Sequence, residues 1–402
     1  MTRLQYLLLP RVIVHTCRSY CTSVAQFDHG SFRRKDLHIS LCAPDKLQRK
    51  PDWGHDSLLF GHTFSDHMLT IKWNQALGWD KPRIERFRNL SLHPGSKVLH
   101  YAVELFEGMK AYRGVDNKIR MFRPELNARR MNRTAARACL PTFDENELIE
   151  CIEELIRVDR EWVPYSSTGS LYIRPTFIGT GPTLGVSESR DALLFVLLCP
   201  VSAYFESGFK PVSLYADPQY VRAWAGGVGG FKMGSNYAPT ILIGKEAHSY
   251  GCSQVLWLYG DKEELTEVGT MNIFLFWINE DGEQELITPS LSSGIILPGV
   301  TRQSLLDLSR EWNEYKVTEG HITMAQLRKA LRENRLLEMF GSGTACTVCP
   351  VDHIVYRNGD HTEDIAIPTM EHKPSLMQRF CDTISDIQYG RIKKPEWTRS
   401  VK

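Results

Sequence analysis

No sign of charge dominates this 402-residue chain: 48 Lys and Arg stand against 47 Asp and Glu. That balance leaves no basic field for nucleic acid and no polybasic patch for an anionic membrane surface, so neither is an expected partner. Cysteine is sparse, ten residues in all, and most sit singly among apolar neighbours, as Cys151, Cys199 and Cys252 do. Such usage excludes a disulfide scaffold and fits buried free thiols of a reducing compartment. No apolar run approaches the ~20 residues of a membrane span. Repeats and low-complexity tracts are missing too. Acidic residues are absent from residues 1–27, where Arg3, Arg11 and Arg18 are interspersed with Thr2, Thr16, Ser19, Thr22 and Ser23. Basic, hydroxyl-rich and acid-free is the composition of a mitochondrial transit peptide. A secretory signal is the rival, since Leu7–Leu9 and Val12–Val14 are apolar, but Pro10 and Arg11 break that run. The mitochondrial matrix is therefore the expected location, with the cytoplasm second.

What is present supports a folded chain of two domains. Hydrophobic residues make up 42% of the sequence and charged residues 24%, enough to bury a sizeable core. Residues 28–60 read as an irregular arm. Strand signals follow at Met68–Trp73, Val98–Phe106 and Ile119–Phe122. Asp144 opens a helix, with Glu147 in capping-box position and Leu148, Ile152, Leu155 and Ile156 on one face. Ala192–Val201 is nearly continuously apolar, as a buried strand is. Further strands are expected at Val212–Tyr215, Val255–Tyr259, Ile273–Ile278 and Glu285–Ile287. Helices are expected at Thr301–Trp312 and, behind a Thr323/Gln326 capping box, at Thr323–Asn334. The division is a leader (1–27), a small α/β domain (28–201), a linker (202–211) and a large domain (212–402). Strands and helices mix without a βαβ rhythm, so the fold class is α+β, or mixed α/β, and not a doubly wound sheet.

Three segments carry chemistry. Lys232 lies in Ala225-Gly-Gly-Val-Gly-Gly-Phe-Lys-Met-Gly234, with five glycines around it and no other charged residue from Ala223 to Gly244. Glycine lets backbone approach a ligand closely, and a lysine remote from other charges can act as a nucleophile near neutral pH. A flexible loop with a solvated lysine is the bland alternative. Glu267 stands before an apolar strand, where a carboxylate entering buried surroundings needs a cationic partner such as a protonated ring nitrogen. Leu297-Pro-Gly-Val-Thr-Arg302 runs into a helix, whose opening N–H groups with a Thr hydroxyl suit a phosphate. Gly341-Ser-Gly-Thr-Ala-Cys346 is a second small-residue loop.

In order, these segments resemble the fold-type IV, or class IV, aminotransferases. The resemblance rests on Glu267, Gly269, Asn272, Phe274, Thr288, Gly299, Val300 and Arg302. Beyond it the chain is similar to the eukaryotic branched-chain aminotransferases over about residues 55–398. The shared stretches are Phe60-Gly-His-Thr-Phe-Ser-Asp-His67, Leu105-Phe-Glu-Gly-Met-Lys-Ala-Tyr112, Ser170-Leu-Tyr-Ile-Arg-Pro175 and Ile387-Gln-Tyr-Gly390. The resemblance implies two domains with pyridoxal 5'-phosphate between them, facing the interface of a homodimer. It implies transfer of the amino group of leucine, isoleucine or valine to 2-oxoglutarate. Lys232 would bind the cofactor covalently and carry a proton, Glu267 would hold its ring nitrogen and Tyr237 its ring hydroxyl oxygen. Arg130, Val300, Thr301 and Thr344 would bind phosphate, although Arg129 stands beside Arg130 where the family usually has an acid. Tyr101 and the Thr344–Ala345 backbone would hold the substrate carboxylate. Phe60, Phe106, Tyr172, Thr270 and the partner subunit's Val186 would wall the side-chain pocket, supported by Arg174. Phe231 and Ser235 depart from the family pattern without removing a reacting group.

Cys346 and Cys349 form a C-x-x-C pair. No second pair lies at zinc spacing, so no metal site is expected. In related mammalian enzymes such a pair is a redox switch; inert packing thiols are the alternative. Competing readings of the whole chain are another fold-type IV enzyme, a catalytically dead homologue serving as a metabolic-complex partner, and a thiol-redox or chaperone protein.

Overall fold

The computed structural model describes residues 30–53, 58–202 and 210–402. The proposed leader and most of the proposed linker, residues 203–209, lie outside the described residues. Two sheets organise the described residues. The first has ten strands, and its main path runs His38–Ile39, Arg83–Arg86, His67–Asn74, Asp191–Val201, Ser170–Gly179, Met109–Arg113, Ile119–Phe122, Thr398–Ser400. Pairing is antiparallel throughout except between His38–Ile39 and Arg83–Arg86. The strand Thr398–Ser400 pairs with Ile119–Phe122, so the chain returns to this sheet after building the second.

Helices Pro124–Arg137 and Glu145–Val158 cover one face. The second begins where Asp144 Oδ1 accepts the N–H groups of Asn146 and Glu147, at 2.9 and 3.0 Å. Its apolar stripe of Leu148, Ile152, Leu155 and Ile156 is buried against the sheet. Each such side chain contributes about 1.5–3 kcal/mol by leaving water. The Glu147 carboxylate does not complete a capping box; it accepts the backbone N–H of Arg34. That contact and the buried Phe32 dock the 30–53 segment, which is less irregular than its polarity suggests.

The second sheet has nine strands, with a main path in the order Glu264–Val268, Gln254–Tyr259, Val212–Ala216, Val348–Asn358, Leu336–Ser342, Met271–Ile278, Gln284–Pro289, Lys316–Gly320. Glu264–Val268 also pairs with Met271–Ile278, which closes six strands on themselves. Helices Val300–Trp312, Met324–Arg332 and Leu376–Gln388 surround it. The Thr323/Gln326 capping box forms as expected.

One expected element is corrected. Val98–Phe106 is not a single strand: Lys97–Tyr101 is helical, Ala102 takes φ +48°, and only Glu104–Phe106 is extended. A short apolar run does not distinguish helix from strand. Here long-range contacts of Lys97 and Tyr101 with residues 184–187 decide.

Candidate active site

Lys232 is held by the first sheet and by the helix Pro124–Arg137 that covers it. Its carbonyl accepts the N–H of Phe106 at 3.1 Å, and its N–H donates to Thr134 Oγ1 at 3.2 Å. The glycines have a steric reason. A Cβ on Gly229 would stand 2.3 Å from the carbonyl oxygen of Ile295, and one on Gly234 would collide with Glu104. The lysine ammonium donates to the Tyr237 hydroxyl at 3.1 Å and lies 4.8 Å from the centre of the Phe106 ring. Though uncharged in its sequence neighbourhood, the lysine lies within electrostatic reach of two carboxylates, Glu107 and Glu267.

Glu267 is 3% exposed, on the strand Glu264–Val268. Its Oε1 accepts the N–H of Leu297 at 2.8 Å, and its Oε2 lies 3.0 Å from the Arg222 guanidinium. Burial pushes the carboxyl above its ordinary range, with the Arg222 charge opposing. Arg222 is the cation that the buried carboxylate requires, and nothing in its own sequence neighbourhood announces it. Its Nη2 also donates to the carbonyl of Ile295 at 3.0 Å, while its Nε is buried without a partner among the described residues.

Arg130 projects from Pro124–Arg137 and grips Glu107 with two hydrogen bonds of 2.7 Å. Its Nη1 donates to the carbonyl of Pro298 at 2.9 Å, directly before the helix Val300–Trp312. The first N–H groups of that helix, on Val300 and Thr301, have no intrahelical acceptor. Arg130, Gly299 and Val300 line a common cavity of about 200 Å³ with Arg133 and Arg302. Glu107 is fully buried, and Arg130 and the other cations around it keep its carboxyl below the ordinary range despite that burial. It is a structural acid whose role its sequence context does not disclose.

Asn272 ties these pieces together. It pairs with Glu267 across the hairpin and with Ser342 on the next strand, and its side chain donates to the carbonyl of Leu297 at 2.8 Å. Gly299 must be glycine for this, because a Cβ there would lie 2.1 Å from Asn272 Oδ1. Thr344 sits on the turn beyond Ser342, whose buried hydroxyl has no partner among the described residues.

A chain of aromatic contacts leads outward from Lys232. Phe106 meets Tyr237 at 4.9 Å between ring centres, and the Arg174 guanidinium lies 4.7 Å over Phe106. Arg174 Nη2 donates to the Tyr172 hydroxyl at 3.0 Å, and Tyr172 meets Phe60 edge-on at 4.7 Å. Arg174 Nε is buried and unpaired among the described residues. Gly108 makes room for this wall, since a Cβ there would sit 2.0 Å from the Tyr172 hydroxyl. Lys110, paired with Tyr172 across the strands, donates to the carbonyl of Ala345 at 2.9 Å and so brings the Thr344–Ala345 loop to the same wall. Burial pushes the Lys110 ammonium down to about 8. Thr270 lies at the tip of the hairpin that carries Glu267.

Two expected substrate-binding residues are exposed and have no described contact with the Lys232 cluster. Val186 is 85% exposed. Tyr101 is also exposed, and its hydroxyl donates to the carbonyl of Leu184, two residues from Val186. Cys346 and Cys349 are buried free thiols behind Ala345. The hydrogen bond between them and burial push Cys346 up, and the same bond draws Cys349 below its ordinary value.

The Amino-transferase class IV family model matches residues 104–354, which contain Lys232, Glu267, Asn272 and Arg302. A cytosolic branched-chain-amino-acid aminotransferase of Caenorhabditis elegans is 60% identical over 373 residues, spanning 92% of this chain and 90% of that protein. The cytosolic enzyme of Ovis aries is 57% identical, spanning 96% and 99%. The mitochondrial enzyme of Bos taurus is 54% identical, spanning 94% of each. Among solved structures, the T.th. branched-chain amino acid aminotransferase with pyridoxamine 5'-phosphate matches with a TM-score of 0.63 at 25% identity, over 83% of this chain and 98% of that one. The Thermoproteus uzoniensis enzyme with norvaline shares the fold, at TM-score 0.65 and 22% identity over 83% of this chain and 99% of that one. The chain belongs to the class IV aminotransferases and, within them, to the branched-chain-amino-acid aminotransferases. Pyridoxal 5'-phosphate is its cofactor. The residues present fit that group: an amine whose hydrogen-bond acceptor is a phenol, a buried carboxylate for the ring nitrogen, and open helix N–H groups beside Arg130.

Proposed function

We propose that this chain transfers the amino group of L-leucine, L-isoleucine or L-valine to 2-oxoglutarate, giving the branched-chain 2-oxo acid and L-glutamate. One observation carries the substrate class: the wall of Phe60, Tyr172 and Phe106 outside Lys232, backed by Arg174 with its unpaired buried Nε. Rings accept a branched apolar side chain. An apolar pocket separates neighbours by only about 1–3 kcal/mol per methylene, so all three amino acids are substrates. Arg174 meets the second carboxylate of 2-oxoglutarate.

The bound cofactor supplies an electron sink for the bond broken at the substrate α-carbon. The chain's own residues do the rest. Lys232 holds the cofactor and its amine moves the α-proton. Tyr237, hydrogen-bonded to that amine, orients it and meets the ring hydroxyl oxygen. Glu267, paired with Arg222 and hydrogen-bonded by the Leu297 N–H, holds a proton on the ring nitrogen. Val300, Thr301 and Thr344 bind phosphate with Arg130, whose Glu107 and Pro298 contacts already fix its guanidinium. The Thr344–Ala345 backbone holds the substrate carboxylate, positioned by Lys110. Thr270 completes the side-chain pocket.

Val186 and Tyr101 are proposed to act in the partner subunit's pocket, which makes the homodimer the active unit. They share one exposed cluster through Leu184 and have no described contact with the Lys232 aromatic chain. Cys346 and Cys349 are proposed as a redox switch. A hydroperoxide oxidises one of the two thiols to a sulfenic acid, and the other thiol displaces water to close the disulfide. Closure pulls on the loop that presents Thr344 and Ala345. Residues 1–27 are proposed to direct mitochondrial import; the relatives include both compartments. Domains at 28–201 and 212–402 fit the two sheets, with Thr398–Ser400 crossing back. A catalytically dead homologue is disfavoured by a site that keeps lysine, tyrosine, carboxylate and phosphate cup together.

Turnover with 2-oxoglutarate across an amino-acid panel tests the proposal. Leucine, isoleucine and valine should far exceed alanine, aspartate and phenylalanine. A better rate with an acidic or aromatic donor overturns the substrate class.

A further inference from the structure

Lys97 is 2% exposed, and no ion pair reaches it among the described residues. Its ammonium donates to the carbonyl of Gly185 at 2.5 Å and to Ser187 Oγ at 3.0 Å. These two acceptors flank Val186. From the other end of the same five-residue helix, the Tyr101 hydroxyl donates to the carbonyl of Leu184. The base of the loop is closed separately: Gly181 N–H donates to Ser189 Oγ at 3.0 Å, and Ser189 Oγ donates to the carbonyl of Asp191 at 2.6 Å. Ser96 bridges to Pro182 across the same seam.

A buried ammonium without a carboxylate is costly unless hydrogen bonds replace its water. Three hydrogen bonds, two from Lys97 and one from Tyr101, converge on the residues around one exposed valine. We infer that Lys97 is a positioning residue for the reaction: with Tyr101 it clasps the 184–187 loop from inside and holds Val186 at the angle at which it enters the partner subunit's side-chain pocket. This inference rests on the proposed trans-acting role of Val186. It adds that the loop's conformation is set by its own subunit and is not induced by the partner.

The clasp explains the local fold. Lys97 reaches Gly185 and Ser187 while Tyr101 reaches Leu184 because the two side chains leave a helical turn four residues apart, on one face. An extended 97–101 segment would also place them on one face but would separate them by ~13 Å. Methionine at position 97 keeps the length and apolar stem of the lysine and removes both hydrogen bonds. Such a replacement of a buried charge need not destabilise the fold.

The test uses purified holoenzyme. Lys97→Met should remain a dimer by sedimentation and keep kcat for leucine within about twofold. KM for leucine should rise roughly tenfold, the lower end of what one pocket contact contributes. Hydrogen exchange should quicken at residues 184–187 and stay unchanged at residues 170–179. Ser187→Ala should show a smaller KM shift in the same direction. Heterodimers of Lys97→Met with Lys232→Ala separate the possibilities. Their one competent site, on the Lys97→Met chain, takes Val186 from a partner with an intact clasp, so KM should return to the wild-type value. A homodimer with wild-type KM and unchanged exchange overturns the role of Lys97, whatever Val186 does. A heterodimer with KM still raised shows the loop acting in its own subunit; it overturns the partner-pocket reading and this inference with it, while leaving the amino-acid panel result intact.

Discussion

Arg222→Met is the perturbation that examines the Glu267 centre without touching a group proposed to meet the cofactor. At 3.0 Å, unit charges in an effective dielectric of about 20 attract by roughly 5 kcal/mol. Breaking a buried pair by removing one partner costs about 3–5 kcal/mol, because a charge is left uncompensated. In the variant, Glu267 keeps the Leu297 N–H and the more distant charges of Lys232 and Arg130 but loses its nearest cation, and its carboxyl, already raised by burial, rises further. The sign of the pH dependence follows. A carboxyl whose folded pKa lies above its unfolded value contributes stability at low pH, lost as pH climbs through the folded value. Cofactor-free Arg222→Met should therefore melt several degrees below the wild-type apoenzyme at pH 8, and the gap should narrow steadily toward pH 5. The assay is thermal unfolding of both apoproteins across that range. A gap that does not change with pH, or that widens in acid, refutes the assignment of Arg222 as the counter-charge.

Three further outcomes are expected. Glu267→Gln should retain cofactor by absorbance yet lose at least ~100-fold in kcat, the lower end of what positioned proton chemistry contributes; near-normal turnover would remove its role. Gly108→Ala should force the Tyr172 hydroxyl away from a Cβ only 2.0 Å distant, raising KM for leucine more than it lowers kcat; unchanged kinetics would show that the aromatic wall does not contact substrate. Mild peroxide should inactivate the enzyme reversibly, with dithiothreitol restoring it. Cys346→Ser should resist, because serine can still donate to the Val348 carbonyl that the thiol reaches at 3.1 Å but cannot form the disulfide. Equal inactivation of both proteins would return the thiols to packing.

What the sequence reveals follows the range of its signals. Ile119–Phe122 has the expected bounds, and the Thr323 capping box and Asp144 cap form because each is decided within four residues. The close packing around Lys232 is foreshadowed by its glycines, whose missing Cβ atoms make room for Ile295 and Glu104, but its proposed role is read from the family resemblance and not from the glycines alone. Arg222 beside Glu267 and Glu107 under Arg130 are not legible, since each pair is joined only by the closed fold. The helix Pro124–Arg137 carries a readable start, a proline at its first position, where its fixed φ suits the helix; the expected elements do not include it. The C-terminal strand Thr398–Ser400 joins Ile119–Phe122 across more than 270 residues, and three residues carry no pattern of their own. Val98–Phe106 misleads for the opposite reason: an apolar run looks like a strand while Lys97 and Tyr101 require a helical turn to reach one loop.

Lys232 is proposed to bond the cofactor covalently. Borohydride reduction of the resting holoenzyme, followed by peptide mapping, measures this directly. A single pyridoxyl-labelled peptide carrying Lys232 is expected, with the label lost in Lys232→Ala. A label on Lys110, Lys97 or any other lysine in the wild-type enzyme would contradict it.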